Sequence, residues 1–333
     1  MIVLGVDLSC PVIQILIALA LVAGLTVVSL LKFYAYISCG YYRGKVRMNG
    51  KTVIITGPTG GLGKETAREI AKKGARVILA CRNVESGNRT KDELIESTKN
   101  ENIVVRKLDV SSLKSVREFA QEINRTEQRL DVLIHNAGTA EKSIKMTEDG
   151  LETTMATNHF GPFLLTHLLI DLLKRSGPSR VVVVASELYR LCSLNVNQLN
   201  PERSWFPLWI YYISKYANIY FTNELAKRLE GTNVTANCLH PGMIDSGIWR
   251  NVPVPLNWPL QLIIKGFFKT PAQACHTSVY LACAEEVEGV SGKYFMDCKE
   301  RGLSSGAMDM NKAKKLWELS EQYVHLKSQD PKI

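Results

Sequence analysis

The chain has 333 residues, 46% hydrophobic and 22% charged, with 23 Gly and 12 Pro, which excludes wholesale disorder and collagen-like repeats and leaves ample material for a core. Lys and Arg outnumber Asp and Glu by 41 to 32, but the +9 charge is spread without a long basic block, so no nucleic-acid partner is expected. The eight Cys form no CxxC pair and have no His at zinc spacing, so the expectation is a reducing compartment and no metal.

Val12 to Leu31 carries no charge, and a helix of that length, at ~1.5 Å per residue, spans ~30 Å of hydrocarbon. This predicts a transmembrane helix. A cleaved secretory signal fits less well, because only Asp7 precedes the stretch where Lys or Arg would be needed, and the apolar run exceeds ~7–15 residues. Lys32, Arg43, Lys45 and Arg47 follow, so the positive-inside rule places the remainder in the cytosol. Tyr34, Tyr36, Tyr41 and Tyr42 read as an interfacial aromatic belt or as plain linker, and Cys39 as a candidate acylation site. Acceptor triplets at Asn88, Asn124 and Asn233 would be glycosylated only in the opposite orientation. Residues 1–47 are therefore assigned as anchor and linker.

Short apolar runs then alternate with amphipathic stretches. Thr52–Thr56, Arg76–Cys81, Ile103–Lys107 and Asp131–Ile134 read as strands, with helices at Lys64–Lys73, Glu85–Thr98 and Leu113–Ile123 between them. A second series has a helix from Glu148 to Arg175, strand Arg180–Ser186, helix Tyr211–Leu229, strand Asn233–Leu239, helix Pro271–Ala284 and strand Lys293–Asp297. The pattern predicts one α/β domain over 48–303, a doubly wound parallel sheet of about seven strands, followed by a helical tail over 304–333. Ala313 to Trp317 in that tail is amphipathic and suits either a cap on the domain or a bilayer surface.

The first strand runs into Thr56-Gly-Pro-Thr-Gly-Gly-Leu-Gly63 and then a helix. Gly57, Thr59, Gly61, Leu62 and Gly63 are candidates to cradle a pyrophosphate at the helix N-terminus, with one backbone donor removed at Pro58. The second strand ends Cys81-Arg82 rather than in a carboxylate, so Arg82, with Lys64 adding charge, favours a 2′-phosphate and hence NADP(H); a solvated surface charge is the alternative.

Tyr211 and Lys215 stand four apart, on one helix face, but Tyr41/Lys45 and Tyr323/Lys327 share that spacing. Only Tyr211 opens a helix after a strand ending in Ala185-Ser186, at the sheet edge where ligands bind. A carbonyl reduction needs a general acid on the developing alkoxide, a task for Tyr211, with the Lys215 ammonium, aided by oxidised nicotinamide, expected to lower its pKa. His159, His167 and His276 read as packing or surface residues and His240 as shaping a loop.

Over about residues 48 to 303 the sequence resembles the short-chain dehydrogenase/reductase family. Thr56 to Gly63 is similar to its TGxxxGxG, Asn136-Ala137-Gly138 to its NAG, Asn158 to its helix asparagine, Ser186 to its serine, Tyr211 to Lys215 to its YxxxK, and Pro241-Gly242 to its PG turn. Gly74 to Arg82, Asn158 to Thr166 and Thr235 to Gly242, with the long Ser186–Tyr211 interval, look like the membrane-anchored, NADP-linked retinol dehydrogenase group. Departures are Pro58, His135 where a second Asn is usual, and Ser246 where Thr is common.

The resemblance implies that Ser186 orients the carbonyl, that Asn158 supports a water reaching Lys215, and that Lys215 holds the nicotinamide ribose. It places Asp109 and Val110 by the adenine, with a turn or N-cap role as the alternative for Asp109, and adds Asn136, Ala137, Gly138, Pro241, Gly242, Ile244 and Ser246 to the cofactor contacts. It also implies an endoplasmic reticulum membrane location and a possible homodimer. Apolar residues at Met243 to Trp249, Val252 to Trp258, Phe267-Phe268, Trp205, Phe206 and Trp209 suit a lipophilic substrate, or the packing of an irregular lid. A retinoid is the expected substrate, with steroid or fatty aldehyde next. A membrane-tethered scaffold without turnover is the reading from another class, and the complete Asn158, Ser186, Tyr211, Lys215 set argues against it.

Overall fold

The computed structural model describes residues 2–3, 6–7, 11–203, 208–244 and 268–333. Helix α1 (Pro11–Ser38) has 28 residues and contains the whole expected span. The side chains of Ile13, Ala20, Leu21, Leu25, Leu31 and residues 34–38, the belt candidates Tyr34 and Tyr36 among them, lie outside the description; among the described residues no helix is long and apolar enough to cross a membrane.

Residues 41–47 lie extended along the domain, with Tyr41, Arg43, Lys45 and Arg47 exposed and Tyr42, Gly44 and Val46 turned inward. Tyr42 packs on Tyr280, centroids 5.5 Å apart, and the Lys73 ammonium donates to the Gly44 carbonyl at 2.7 Å. Just before them, the Gly40 N–H donates to Asp297 Oδ1 at 3.3 Å, and a Cβ on Gly40 would overlap the Asp297 backbone. Cys39 is 7% exposed and burial pushes its thiol pKa up, so it lacks the accessible thiolate that acylation requires.

The domain alternates β1 (Thr52–Thr56), α2 (Gly61–Lys72), β2 (Arg76–Cys81), α3 (Val84–Thr98), β3 (Ile103–Lys107), α4 (Leu113–Thr126) and β4 (Val132–His135). There follow α5 (Gly161–Ser176), β5 (Ser179–Val184), α6 (Leu208–Arg228), β6 (Val234–His240), α7 (Pro271–Cys283), β7 (Tyr294–Met296), β8 (Lys299–Glu300) and α8 (Met310–Tyr323). The sheet order is β8-β7-β6-β5-β4-β1-β2-β3, parallel except for β8. Chain order reverses at β1, which pairs with both β2 and β4, and the crevice above that reversal is where such sheets bind ligands.

Apolar residues decide these placements. All five residues of β1 are buried, as a strand covered on both faces requires. In α4 the buried Leu113, Val116, Phe119, Ala120 and Ile123 repeat at helical spacing, and Ser112 caps the first turn by accepting from Ser115 N–H. Ile54, Leu133 and Val181 face α4, α5 and α6, whereas Val53, Ile134 and Val182 face α2 and α7.

Two elements differ from expectation. An eighth strand, Lys299–Glu300, adds antiparallel to β7 through Asp297 and Cys298, whose φ of 57° and 58° suit a two-residue hairpin turn. The helix expected over 148–175 is broken into a turn at Thr153–Met155, a π turn at Ala156–Phe160, and α5. Glu152 caps that first turn, accepting from Met155 N–H at 2.9 Å, and Gly161 passes so tightly under the Val110 carbonyl that a Cβ would overlap it.

The tail caps the domain. Trp317 is fully buried, stacked on Phe221 at 5.9 Å and edge-on to Phe163 at 4.8 Å, with the Arg228 guanidinium 4.5 Å from its ring. Arg117 grips Asp330 with bonds of 3.0 and 2.8 Å, fixing the final residues.

Candidate active site

The glycine loop is shaped by what it touches. Gly57 sits at φ +65° and donates its N–H to the Ala80 carbonyl at 3.0 Å; a Cβ there would come within 2.9 Å of Ala137 Cα. A Cβ on Gly63 would overlap both the Asn136 amide and the Gly57 carbonyl. Asn136 locks the loop to β4, its Nδ2 donating to the carbonyls of Thr56 at 2.9 Å and Gly57 at 3.1 Å. The Thr56 hydroxyl accepts from the N–H groups of Asn136 and Ala137, each at 3.0 Å, a linchpin that sequence reasoning left as part of a motif.

Gly60 caps α2 without a side chain, and a Cβ at Gly60 or Gly61 would meet open space. The first-turn N–H groups of Gly61, Leu62 and Gly63 therefore have no side-chain cap and no acidic neighbour in their turn. This is a cradle that fits a pyrophosphate. Thr59 is exposed beside it, and Arg82 is exposed where β2 ends. The Lys64 ammonium is taken up in an ion pair with Glu93. Asp109 fills its turn role, accepting from Ser111 N–H at 3.0 Å and Ser111 Oγ at 2.6 Å, while Val110 is buried.

Four side chains expected to do chemistry converge from separate elements. Tyr211 and Lys215 share the inner face of α6, Ser186 follows β5, and Asn158 comes from the π turn; all four are buried, Asn158 at 1% exposure and Tyr211 at 7%. Lys215 Nζ lies 5.6 Å from the Tyr211 ring centroid and donates to the Val184 carbonyl at 2.8 Å. Ser186 accepts from Leu188 N–H at 3.3 Å, and its hydroxyl is near enough to the Tyr211 phenol to pull that group's pKa down.

Asn158 Oδ1 accepts from Thr139 N–H at 2.8 Å, and Nδ2 donates to the Thr139 carbonyl and to Ser214 Oγ, each at 2.9 Å. Ser214 then donates to the Tyr211 carbonyl at 2.7 Å. Both amide hydrogens of Asn158 are committed, so its side chain ties the Thr139 loop to α6. Ser214 was missed; its only signal was its place beside Lys215 in Tyr-Ile-Ser-Lys.

Burial dominates the electrostatics at Tyr211. Burial pushes its phenol up to about 12 against a downward pull from the Ser186 hydroxyl. Burial also brings the Lys215 ammonium down to about 8. Desolvation is the largest influence on Tyr211, with Tyr212 adding to it, and the phenol carries its proton at neutral pH.

Gly138 lies over both partners, a Cβ there being 3.4 Å from Asn158 Oδ1 and 3.5 Å from Lys215 Nζ. Pro241 is buried, Gly242 adopts φ +97°, and Ile244 bridges to Lys269, whose N–H donates to the Met243 carbonyl at 2.7 Å. Ser246, Trp205, Phe206, Trp249, Trp258 and Phe267 lie outside the described residues. His135 is neutral and structural. The Thr166 hydroxyl gives its own proton to the Pro162 carbonyl, so it accepts from His135 Nε2–H at 2.7 Å.

Residues 51–255 match the family model described as short chain dehydrogenase. The chain belongs to the short-chain dehydrogenase/reductase family. Retinol dehydrogenase 14 of Mus musculus is 49% identical over 289 residues, covering 83% of this chain and 86% of that relative. Retinol dehydrogenase 12 of Mus musculus is 44% identical, covering 89% and 92%. Among solved structures, an uncharacterized protein from Mycobacterium paratuberculosis superposes with a TM-score of 0.68 at 31% identity, covering 84% of this chain and 95% of its own. A short chain dehydrogenase from Escherichia coli CFT073 complexed with NADPH superposes at 0.61 and 24% identity, covering 76% and 99%, a likeness of fold. As a short-chain dehydrogenase/reductase the protein is an oxidoreductase, and its family and fold support a nicotinamide cofactor.

Proposed function

We propose that this enzyme interconverts a lipophilic alcohol and its aldehyde or ketone, retinol and retinal first among them, with NADP(H) and with Tyr211 as the general acid and base. The convergence of Tyr211, Lys215, Ser186 and Asn158 on one edge of the sheet carries the reading.

When bound, the dinucleotide supplies or takes up the hydride. In reduction the Tyr211 hydroxyl gives its proton to the carbonyl oxygen, and in oxidation it takes the proton back. Ser186, whose hydroxyl faces the same phenol, orients that oxygen. Lys215 sets its charge beneath the ring, where it stabilises the phenolate left after transfer. Asn158 and Ser214 fix the first turn of α6, and Asn136, Ala137 and Gly138 form the floor between loop and catalytic group.

Arg82 supports the NADP(H) choice, because an exposed guanidinium attracts a 2′-phosphate where a carboxylate would repel it. Exposed Leu191, Leu208, Trp209 and Met243 sit on the segments bearing Ser186, Tyr211 and Gly242, which supports a lipophilic substrate. The retinol dehydrogenase relatives support a retinoid. Helix α1, with basic Arg43, Lys45 and Arg47 after it, supports a single-pass anchor and a cytosolic domain, and the resemblance to the membrane-anchored retinol dehydrogenase group supports the endoplasmic reticulum as its membrane.

The test is consumption of NADPH by the full chain with all-trans-retinal. Tyr211→Phe should lower turnover by about 10² or more; equal rates in both proteins would reject the mechanism.

A further inference from the structure

We propose that His159 and Ser320 are positioning residues, through which the C-terminal helix α8 sets the placement of Asn158 and hence of Tyr211. The proposal rests on the catalytic reading above.

Asn158 and His159 are consecutive in the π turn, and their side chains are tied to different elements. Asn158 reaches Thr139 and Ser214, and Ser214 holds the Tyr211 carbonyl. His159 is fully buried among Phe160, Phe163 and Phe221, at centroid distances of 5.2, 6.1 and 6.1 Å, and its Nε2 lies 2.7 Å from Ser320 Oγ in α8. Ser320 gives its own proton to the Leu316 carbonyl at 2.8 Å, so His159 Nε2–H is the donor. His159 Nδ1 is buried and has no partner. A single polar contact therefore orients the ring, and α8 supplies it.

The tail that supplies it is held to the domain at several points. Trp317 fills the space between Phe163 and Phe221, Arg228 donates to the Ile333 carbonyl at 3.1 Å, and Arg117 holds Asp330. A π turn lacks the regular ladder of an α-helix, so its register depends on the side chains pinning it from either side. On one side stand Thr139 and Ser214, on the other Ser320. Losing the Ser320 hydroxyl leaves both imidazole nitrogens buried without partners, a penalty that favours a shift of the turn, which carries Asn158 with it.

The experiment compares Ser320→Ala with Ser320→Thr, which keeps the hydroxyl, in the full chain. It measures kcat and KM with NADPH and all-trans-retinal, and NADPH Kd by fluorescence titration. Ser320→Ala should lower kcat about tenfold with NADPH Kd unchanged, and Ser320→Thr should restore it. An unchanged kcat overturns the proposal, as does a parallel loss of kcat and NADPH affinity, which marks general loosening. If Ser320→Ala does not fold, Ser320→Cys, nearly isosteric but a poor acceptor, gives the same readout. Tyr211→Phe, run alongside, separates the two ideas: turnover retained there sinks the catalytic reading, whereas a dead Tyr211→Phe with an unaffected Ser320→Ala sinks only this one.

Discussion

Lys215 Nζ donates to the main-chain carbonyl of Val184 at 2.8 Å, so the buried ammonium is held by the end of the strand that delivers Ser186. Its pKa, brought down to about 8 by burial, reports a folding cost that is full below pH 8 and fades as pH rises toward 10.5. Lys215→Met should therefore leave Tm unchanged or higher near pH 7, while turnover drops by about 10²–10⁴. Calorimetry beside steady-state kinetics checks both, and a large fall in Tm would show the ammonium to be structural.

Gly63→Ala should destabilise the domain by about 1–3 kcal/mol and weaken NADPH binding, because the added methyl overlaps the Asn136 amide and the Gly57 carbonyl. Urea unfolding and a fluorescence titration read the two effects. Wild-type values in both would mean that the loop relaxes around the methyl group.

Cofactor choice should follow Arg82 and not Lys64. The NADPH over NADH ratio of kcat/KM is expected to fall about tenfold or more in Arg82→Asp, where a carboxylate would face the 2′-phosphate. Lys64→Gln should shift it little, since Glu93 already holds that ammonium. An unchanged ratio in Arg82→Asp removes the assignment.

Acid should unfold the protein early. Burial holds His135 and His159 down at about 3 and His167 and His240 at about 4, against about 6.5 when unfolded. The folded state thus binds fewer protons than the unfolded one below pH 6.5, so stability is full above that value and is lost as pH falls toward 3–4. At pH 5.5 each residue should cost about 1 kcal/mol. Tm measured at pH 7.5 and 5.5 should drop clearly, and a flat profile would show that these rings find protons or water when folded.

Much of the site could be read from residues alone because its signals are local. Gly57 and Gly63 announce a tight loop after an apolar strand, and the strand ending in Ser186 distinguishes Tyr211/Lys215 from two other pairs at the same spacing. What stayed hidden depends on partners distant in the chain. Ser214 is an ordinary helical serine until Asn158 is placed against it. The π turn has the same apolar content as the helix it interrupts, and β8 is two charged residues with no hydrophobic period. Leu316, Trp317 and Ser320 show that α8 is amphipathic, but only Phe163, Phe221 and His159 decide that it lies on the domain.

The tyrosine pKa illustrates a different limit. A lysine four residues away and an oxidised nicotinamide predict a lowered value when cofactor is bound, but the sequence does not reveal that Tyr211 is buried at 7% exposure, where desolvation is the largest influence.

The contact between Gly40 and Asp297 bears on where a form without helix α1 should be cut. Trimming at residue 47, where the polar linker ends by composition, would strip Tyr42 from Tyr280 and leave Lys73 without the Gly44 carbonyl. Trimming ahead of Cys39 removes the apolar helix and keeps that seam closed.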